Sequence, residues 1–369
     1  MDTIEAELRK NGIENENALD IQVKNEIAIY VANVLSSNFP EIHLNFNTLF
    51  LSINKLKMYE ADMPQNQVGA CYFYKNNSIY FKRGLKLHTI KELAVHECIH
   101  HFQEIKDANG VLHRMGLCTY VGNKAYGNAL NEASVQLMAS YANRQKGDTV
   151  TYYGMSLPTD SPNYYPLLCN LMKQIAHLTG FGILFESTFY SNDAFFDRFK
   201  NVFGVDNALD IQSNFEKILN IENKINELNY KIQNEELSYK KFNKLTKNVA
   251  KYKEKIRNTF LSTQNLIITS YFDKKLNELQ NASQIEEYRK TLYRYSNLIG
   301  TTSSYTFFND YYIKKMAVLD TMYEKMSERV PNNLSMIVPK TSKFASMFNV
   351  IKKLFTKNKV MQNDDIDNF

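Results

Sequence analysis

The chain has 369 residues, of which 44% are hydrophobic and 22% charged, the proportions of a globular protein with an ordinary core. Its formal net charge of +5 is small for this length, so charge does not indicate a nucleic-acid partner, and none is expected. No run of about 18 apolar residues occurs, so no transmembrane helix is expected either.

The N-terminal residues carry early acidic side chains and no apolar segment, a composition that excludes an ordinary cleaved signal peptide. The four cysteines, Cys71, Cys98, Cys118 and Cys169, form no CxxC pair and no dense framework. We therefore expect free thiols in a reducing compartment and a cytoplasmic protein. A protein exported by a signal-independent system would have the same composition.

The first clear elements are a helix and a hairpin. The helix is VKNEIAIYVANVL, residues 23–35. In ACYFYKNNSIYFK, residues 70–82, aromatic and β-branched residues surround Asn76-Asn77, a dipeptide that tolerates left-handed backbone. This pattern predicts a β-hairpin.

Two further helices follow the predicted hairpin. Thr89 and Glu92 form a capping box, which predicts the start of a helix that runs to about Asp107 and ends before Asn109-Gly110. The second helix is expected over residues 128–144. Its predicted apolar face consists of Leu130, Ala133, Leu137 and Met138.

Beyond this helix, the proline-containing segment 147–166 is interpreted as an ordered loop, and from Leu167 onward the pattern is helical. Two runs of apolar residues at spacings of three and four flank a break near Gln233-Asn234, which predicts an antiparallel, coiled-coil-like helical hairpin. The runs are Ile218, Ile221, Ile225, Leu228 and Ile232, then Phe242, Leu245, Val249, Tyr252 and Ile256. The charged faces of the hairpin are interpreted as solvated surface; the alternative is a docking arm for a partner.

After Pro331 the composition indicates a flexible tail that contains one basic amphipathic helix, FASMFNVIKKLF, residues 344–355. Phe344, Met347, Phe348, Ile351 and Phe355 share its apolar face, with Lys343, Lys352, Lys353 and Lys357 beside them. Such a helix either docks on its own domain, which we favour slightly, or makes a peripheral contact with an acidic membrane or protein surface.

The chemistry-bearing motif is His96-Glu97-x-x-His100, in AVHECIHHFQ. Residues four apart lie on the same face of a helix, so His96 and His100 can present two imidazole nitrogens to one ion. Glu97 lies about 100° around the helix from His96, where it can reach a metal-bound water without being a ligand. Zinc lowers the pKa of such a water to about 7, and a neighbouring carboxylate can take its proton. The alternative without a metal-binding function is a surface helix with two exposed histidines.

A catalytic zinc needs a third protein ligand and an open position. A metzincin would place Gly and His where this chain has Gln103 and Lys106, so that class is excluded. An aspzincin would place Asp at the position of Asn123, before Tyr126-Gly127, and Asn is a poor ligand. The remaining candidate is Glu132, in Asn131-Glu132-Ala133 on the next predicted helix. Glu104 and Asp107 are expected on the histidine helix itself, and Glu104, although in register with His100, would lie one turn further along, where a tetrahedral site is hard to complete.

Over residues 70–142 the sequence therefore resembles the gluzincin metallopeptidases, the thermolysin-like class, with a ligand spacing closer to that of clostridial neurotoxin light chains. The resemblance implies that His96, His100 and Glu132 bind Zn²⁺ and that Glu97 is the general base. Thermolysin-like sequences continue to Ser-Asp where this chain has Val135-Gln136. The Asp orients a ligand histidine there, a task that the Gln136 oxygen can perform more weakly.

The remaining polar candidates have structural interpretations. His101 is expected to lie off the ligand face, His113 in a loop, and Cys98 in the packing. Zincins often stabilise the oxyanion with a Tyr, His or Arg. Six tyrosines are open candidates for this role here, although structural packing is the default interpretation of each: Tyr126, Tyr141, Tyr152, Tyr153, Tyr164 and Tyr165.

Together these features predict an α+β, predominantly α protein. A zincin-like metallopeptidase domain, 1–205, would precede a helical region, 206–330, and the flexible tail, 331–369. The expected function is zinc-dependent hydrolysis of peptide bonds in a peptide or protein substrate, which the hairpin's edge strand could hold by main-chain pairing. The alternatives are a catalytically inactive zincin-fold scaffold or regulatory binding protein, and a hydrolase of non-peptide amides.

Overall fold

The computed structural model describes residues 3–64, 69–122, 124–299 and 307–328, and 67% of these residues are helical. The predicted α+β, predominantly α class is confirmed. The helices are α1 (Thr3–Lys10), α2 (Ile21–Asn38), α3 (Phe46–Ile53), α4 (Leu87–Phe102), α5 (Asn128–Ala142), α6 (Pro166–Thr179), α7 (Phe181–Tyr190), α8 (Ala194–Phe203), α9 (Val205–Asn234), α10 (Tyr239–Asn277), α11 (Ala282–Ile299) and α12 (Phe307–Glu328). The strands are β1 (Glu14–Ala18), β2 (Lys57–Asp62), β3 (Ala70–Phe73), β4 (Ser78–Lys82), β5 (Glu104–Lys106), β6 (Leu112–Met115), β7 (Cys118–Val121), β8 (Lys124–Tyr126), β9 (Asp148–Tyr152) and β10 (Met155–Thr159).

A four-stranded mixed sheet, in the order β1-β2-β4-β3, contains the predicted hairpin. Strands β3 and β4 are antiparallel, and Asn77 at their turn has the left-handed backbone (φ 53°) that its residue type tolerates. Strand β3 has no neighbour on its outer side among the described residues. One face of the sheet is apolar and packs around Ile13, Ala61 and Tyr80.

Helix α4 does not begin or end where the sequence predicted. It starts at Leu87 after Lys86, which makes no side-chain capping bond, so Thr89 already lies inside the helix and the capping box is not used. The helix ends at Phe102, and residues 104–106 form β5 instead of a further helical turn. The predicted stop at Asn109-Gly110 is a turn between β5 and β6, where Gly110 has a φ of 77°.

Strands β5 to β8 form an antiparallel meander that leads directly into α5. Gly127 ends β8 and takes the left-handed backbone (φ 84°) that lets the chain turn into the helix. The prediction of this helix is confirmed, and its four predicted apolar-face residues are fully buried. Because α5 packs on both α4 and α6, almost every side chain along it lies in the core.

The segment predicted to be an ordered loop contains the hairpin of β9 and β10. Its two turn residues, Tyr153 (φ 51°) and Gly154 (φ 77°), both have left-handed backbone, as a two-residue hairpin loop requires. The prolines that suggested a loop lie within and after β10, where Pro158 occupies a strand position in a two-stranded sheet. Proline is accepted there because the second strand is also an edge.

The two apolar runs predicted beyond Leu167 lie in α9 and α10, which are separated by residues 235–238. Ile218, Ile221 and Ile225 are buried, whereas Phe242 at the start of α10 is exposed. The pKa of Lys224 on α9 is raised mainly by its contact with Glu227 and, to a smaller extent, by Tyr252 on α10. Lys224 and Tyr252 therefore lie near each other, as they would in an antiparallel helix pair.

The described residues divide into two compact units, one that ends at Asp273 and one that begins at Lys274. In the second unit, α11 and α12 pack on each other and Arg289 pairs with Asp320. The predicted tail helix, 344–355, lies outside the described residues. None of the described helices is long and apolar enough to cross a membrane.

Candidate metal centre

Three side chains from two neighbouring helices converge on one point. His96 and His100 lie one turn apart on α4, and their Nε2 atoms are 3.1 Å from each other. Glu132 on α5 places its Oε2 atom 3.5 Å from His96 Nε2 and its Oε1 atom 3.5 Å from His100 Nε2. One donor atom from each residue lies within 4.8 Å of the others, so the group could hold a metal ion.

The charges at this point stabilise one another. Burial alone would raise the pKa of Glu132, but His100 and His96 outweigh burial and hold that pKa well below its ordinary range. Burial opposes a charged His100, yet the Glu132 carboxylate and, more weakly, Glu97 raise the pKa of His100 to about 8. Glu132 and His100 therefore each favour the charged form of the other.

The ring of His96 is oriented by Gln136, as the sequence suggested. Ser161 donates its hydroxyl hydrogen to the Tyr164 carbonyl (2.5 Å), so Ser161 Oγ accepts from Gln136 Nε2 (3.0 Å). This bond turns the Gln136 Oε1 atom towards His96 Nδ1, which lies 2.9 Å away and donates. The Nε2 lone pair of His96 is therefore left for a metal.

A second glutamine performs the same task for His100. Gln103 is fully buried, and its Oε1 atom lies 3.1 Å from His100 Nδ1. The Gln103 amide nitrogen donates to the Thr188 carbonyl (2.8 Å) and to Asn131 Oδ1 (3.2 Å), and these two bonds fix its orientation. The sequence around Gln103 does not indicate this role, because its partner Thr188 lies 85 residues further along the chain.

The turn between β6 and β7 closes directly over this amide pair. Gly116 has a φ of 59°, and its amide donates to Ser191, which in turn donates to the Gln103 carbonyl. A Cβ atom at Gly116 would lie 2.2 Å from Asn131 Oδ1 and 2.3 Å from Gln103 Nε2. No other residue type fits there without displacing the amides behind His100.

The predicted base, Glu97, lies beside the metal centre and is only 5% exposed. Its Oε2 atom accepts a hydrogen bond of 2.7 Å from the backbone amide of Tyr72 on the edge strand β3. No described residue donates to its Oε1 atom, which is therefore free to accept a proton. The arrangement holds the carboxylate still while one oxygen remains available.

These residues lie in a cleft of about 750 Å³. Of the six tyrosines left open by the sequence, Tyr164 and Tyr165 line it. Burial, Glu132 and then Glu97 raise the pKa of Tyr165 well above its ordinary value, so this phenol stays protonated in the cleft that it lines. Tyr165 has a left-handed backbone (φ 49°) and precedes Pro166, a strained combination of the kind that concentrates at functional sites.

The other candidates lie away from the donor atoms. His101 contacts Ser52 and the Tyr72 hydroxyl, and burial lowers its pKa to about 4. Glu104 belongs to β5, not to the histidine helix, and accepts from the Tyr72 hydroxyl. His113 lies on β6 and not in a loop.

The remaining sequence interpretations also have an outcome. Cys98 is fully buried, as its packing role predicted, and all four cysteines are free thiols. Asn123 lies outside the described residues.

Comparisons of the chain with protein families, with curated proteins and with solved structures found no match.

Proposed function

We propose that this protein is a zinc-dependent, gluzincin-type peptidase. The observation that carries the proposal is the convergence of His96, His100 and Glu132 beside a fixed Glu97. Two imidazole nitrogens and one carboxylate are the donor set of a common class of catalytic zinc site. Both rings already present Nε2 to the centre because glutamine oxygens occupy their Nδ1 atoms, so the residues fit the ion.

Zinc would supply Lewis acidity, which polarises a carbonyl group and acidifies water. Glu97 takes the proton of the attacking water on its free oxygen and later delivers it to the leaving amine. The backbone amide of Tyr72 keeps the carboxylate in place during both transfers. Tyr165 donates its hydroxyl hydrogen to the oxyanion that develops on the scissile carbonyl.

The shape of the cleft supports a peptide as substrate. Ala70, Cys71 and Tyr72 of the edge strand β3 line it, and no described strand covers the outer side of β3. Apart from the Tyr72 amide, which already donates to Glu97, the main chain of such an edge can pair with an extended peptide through hydrogen bonds. The four free cysteines support a reducing compartment, so cytoplasmic location is part of the proposal.

The test combines metal analysis with digestion of a broad peptide library. We expect about one zinc per chain, and cleavage that a chelator stops and added zinc restores. Glu97→Gln should retain zinc and the bond from Tyr72 while hydrolysis falls by about 10² or more. Glu254→Gln, an exposed carboxylate on α10, is the matched control.

Each rival gives a different result. An inactive scaffold would bind zinc without cleaving any peptide, and an amidase would spare peptides while hydrolysing small amides. Equal cleavage by the wild type and Glu97→Gln would remove Glu97 from the reaction and overturn the mechanism.

A further inference from the structure

No lysine or arginine is among the described residues that line the cleft, although the chain has 44 of them. Its charged carboxylates are Glu92, Glu97 and Glu132. A divalent cation at the metal centre balances two of these carboxylates. Glu92 then remains as an uncompensated negative charge inside the cleft.

Glu92 is exposed on the cleft side of α4, and no described residue forms an ion pair or hydrogen bond with its carboxylate. This differs from ordinary surface carboxylates of the same region, such as Glu26, which pairs with Lys91. The backbone around Glu92 is fixed, because its carbonyl accepts from Asn143 (3.2 Å). A free carboxylate on a fixed helix is a ready acceptor for a cation.

The surroundings of Glu92 suit a long cationic side chain. Tyr164 lines the same cleft. The pKa of its phenol is raised mainly by burial and, to a smaller extent, by the nearby carboxylate of Glu92. A carboxylate beside an aromatic ring binds a guanidinium or ammonium group by charge-assisted hydrogen bonds and by contact with the ring face. The uncharged polar residues Thr89, Asn143 and Gln145 supply the remaining polar lining.

The position of Glu92 along α4 sets its distance from the reacting bond. It precedes His96 by four residues, which corresponds to about 6 Å along a helix. An extended peptide advances about 3.4 Å per residue. For a peptide that runs along α4, the residue whose backbone lies opposite Glu92 is therefore about two positions from the scissile bond.

We propose that Glu92 forms a specificity subsite that selects substrates with Lys or Arg within two residues of the cleaved bond. The inference rests on the proposed peptidase function, since it specifies the substrate of the same cleft. The sequence predicts that Glu92 caps a helix, but the helix starts earlier, at Leu87, so its carboxylate has no capping role.

The test uses two fluorogenic peptides that are identical except for arginine or its neutral isostere citrulline near the cleaved bond, chosen from the library digest. We expect the wild type to prefer arginine by about two- to fivefold in kcat/KM, the range of an ion pair with a solvent-exposed carboxylate. Glu92→Gln should bring this ratio close to one, and Glu92→Lys should reverse a preference measured between arginine and glutamate peptides. Glu254→Gln should retain the wild-type ratio.

A measurement of peptide binding without cleavage tests the Glu92 subsite independently of the proposed peptidase activity. In the Glu97→Gln background, fluorescence anisotropy of labelled peptides should show the same preference for arginine, and Glu92→Gln should remove it. If the wild type cleaves nothing yet binding depends on Glu92, the peptidase proposal fails and the subsite stands. Equal binding of both peptides, or a preference that survives in Glu92→Gln and Glu92→Lys, would overturn the subsite.

Discussion

Replacing Gln136 with Met tests whether the amide behind His96 tunes the metal centre. Methionine has a similar length, so the change removes the bond to His96 Nδ1 (2.9 Å) without opening a large cavity. Ser161 keeps its bond to the Tyr164 carbonyl, so the cost in folding free energy is about 1 kcal/mol. His96 then loses the contact that fixes its tautomer and its ring orientation.

Loss of such an outer contact typically lowers metal affinity by about 10- to 100-fold, which equals about 1.4 to 2.8 kcal/mol. We expect this decrease in zinc affinity for Gln136→Met, measured by competition with a chromogenic chelator. Gln136→Glu should bind zinc at least as tightly as the wild type, because a carboxylate is a stronger acceptor for the His96 N–H group.

The control is Gln174→Met, which removes another fully buried glutamine amide on α6 outside the cleft. It should lower the thermal midpoint by a similar amount and leave zinc affinity unchanged. If Gln136→Met and Gln174→Met bind zinc equally well, the amide merely packs and the reasoning about His96 is wrong.

Three further predictions follow from the same centre. Glu132→Ala should release zinc at chelator concentrations that leave Glu104→Ala loaded, as metal analysis after dialysis would show; equal retention would exclude Glu132 as a ligand. The folded-state pKa of His100 is raised to about 8, so its contribution to metal-free stability is full below about pH 6.5 and is lost as pH rises through 8. The thermal midpoint of the metal-free protein should therefore fall over this interval while zinc affinity rises, and a midpoint independent of pH would contradict the assignment. Tyr165→Phe should lower kcat by about 10²-fold with zinc content and KM little changed; a loss confined to KM would assign Tyr165 to substrate binding instead.

The parts of the site that follow helical periodicity could be predicted from the sequence. Two histidines four residues apart must share a face, and Glu132 lies on the next helix with buried alanine and leucine neighbours that fix its direction. Gln136 was predictable for the same reason, because it lies one turn after Glu132 on α5. Local chemistry also located the first hairpin, through Asn76-Asn77.

Contacts between distant segments could not be predicted in this way. Gln103 is placed by the carbonyl of Thr188, and no local pattern links the two positions. The capping box of Thr89 and Glu92 failed because the sheet and α2 pack against a helix that starts earlier, so tertiary contact overrode a local signal. The hairpin at Tyr153-Gly154 was missed because three nearby prolines are typical of loops.

The Gly116 turn has a consequence for how sequence variation in this chain would be read. A methyl group at Gly116 displaces Gln103 and Asn131, and the disturbance reaches His100 through one hydrogen bond. In a mutational scan, Gly116 would therefore score with the metal-binding residues, although it offers no side chain to any ion. An exposed carboxylate that lines the cleft, such as Glu92, would score as neutral in the same assay unless the substrate carried a positive charge. The positions most sensitive to substitution would therefore include those of the buried amides that orient the histidines. The positions that select the substrate would be identified only by an assay that compares different substrates.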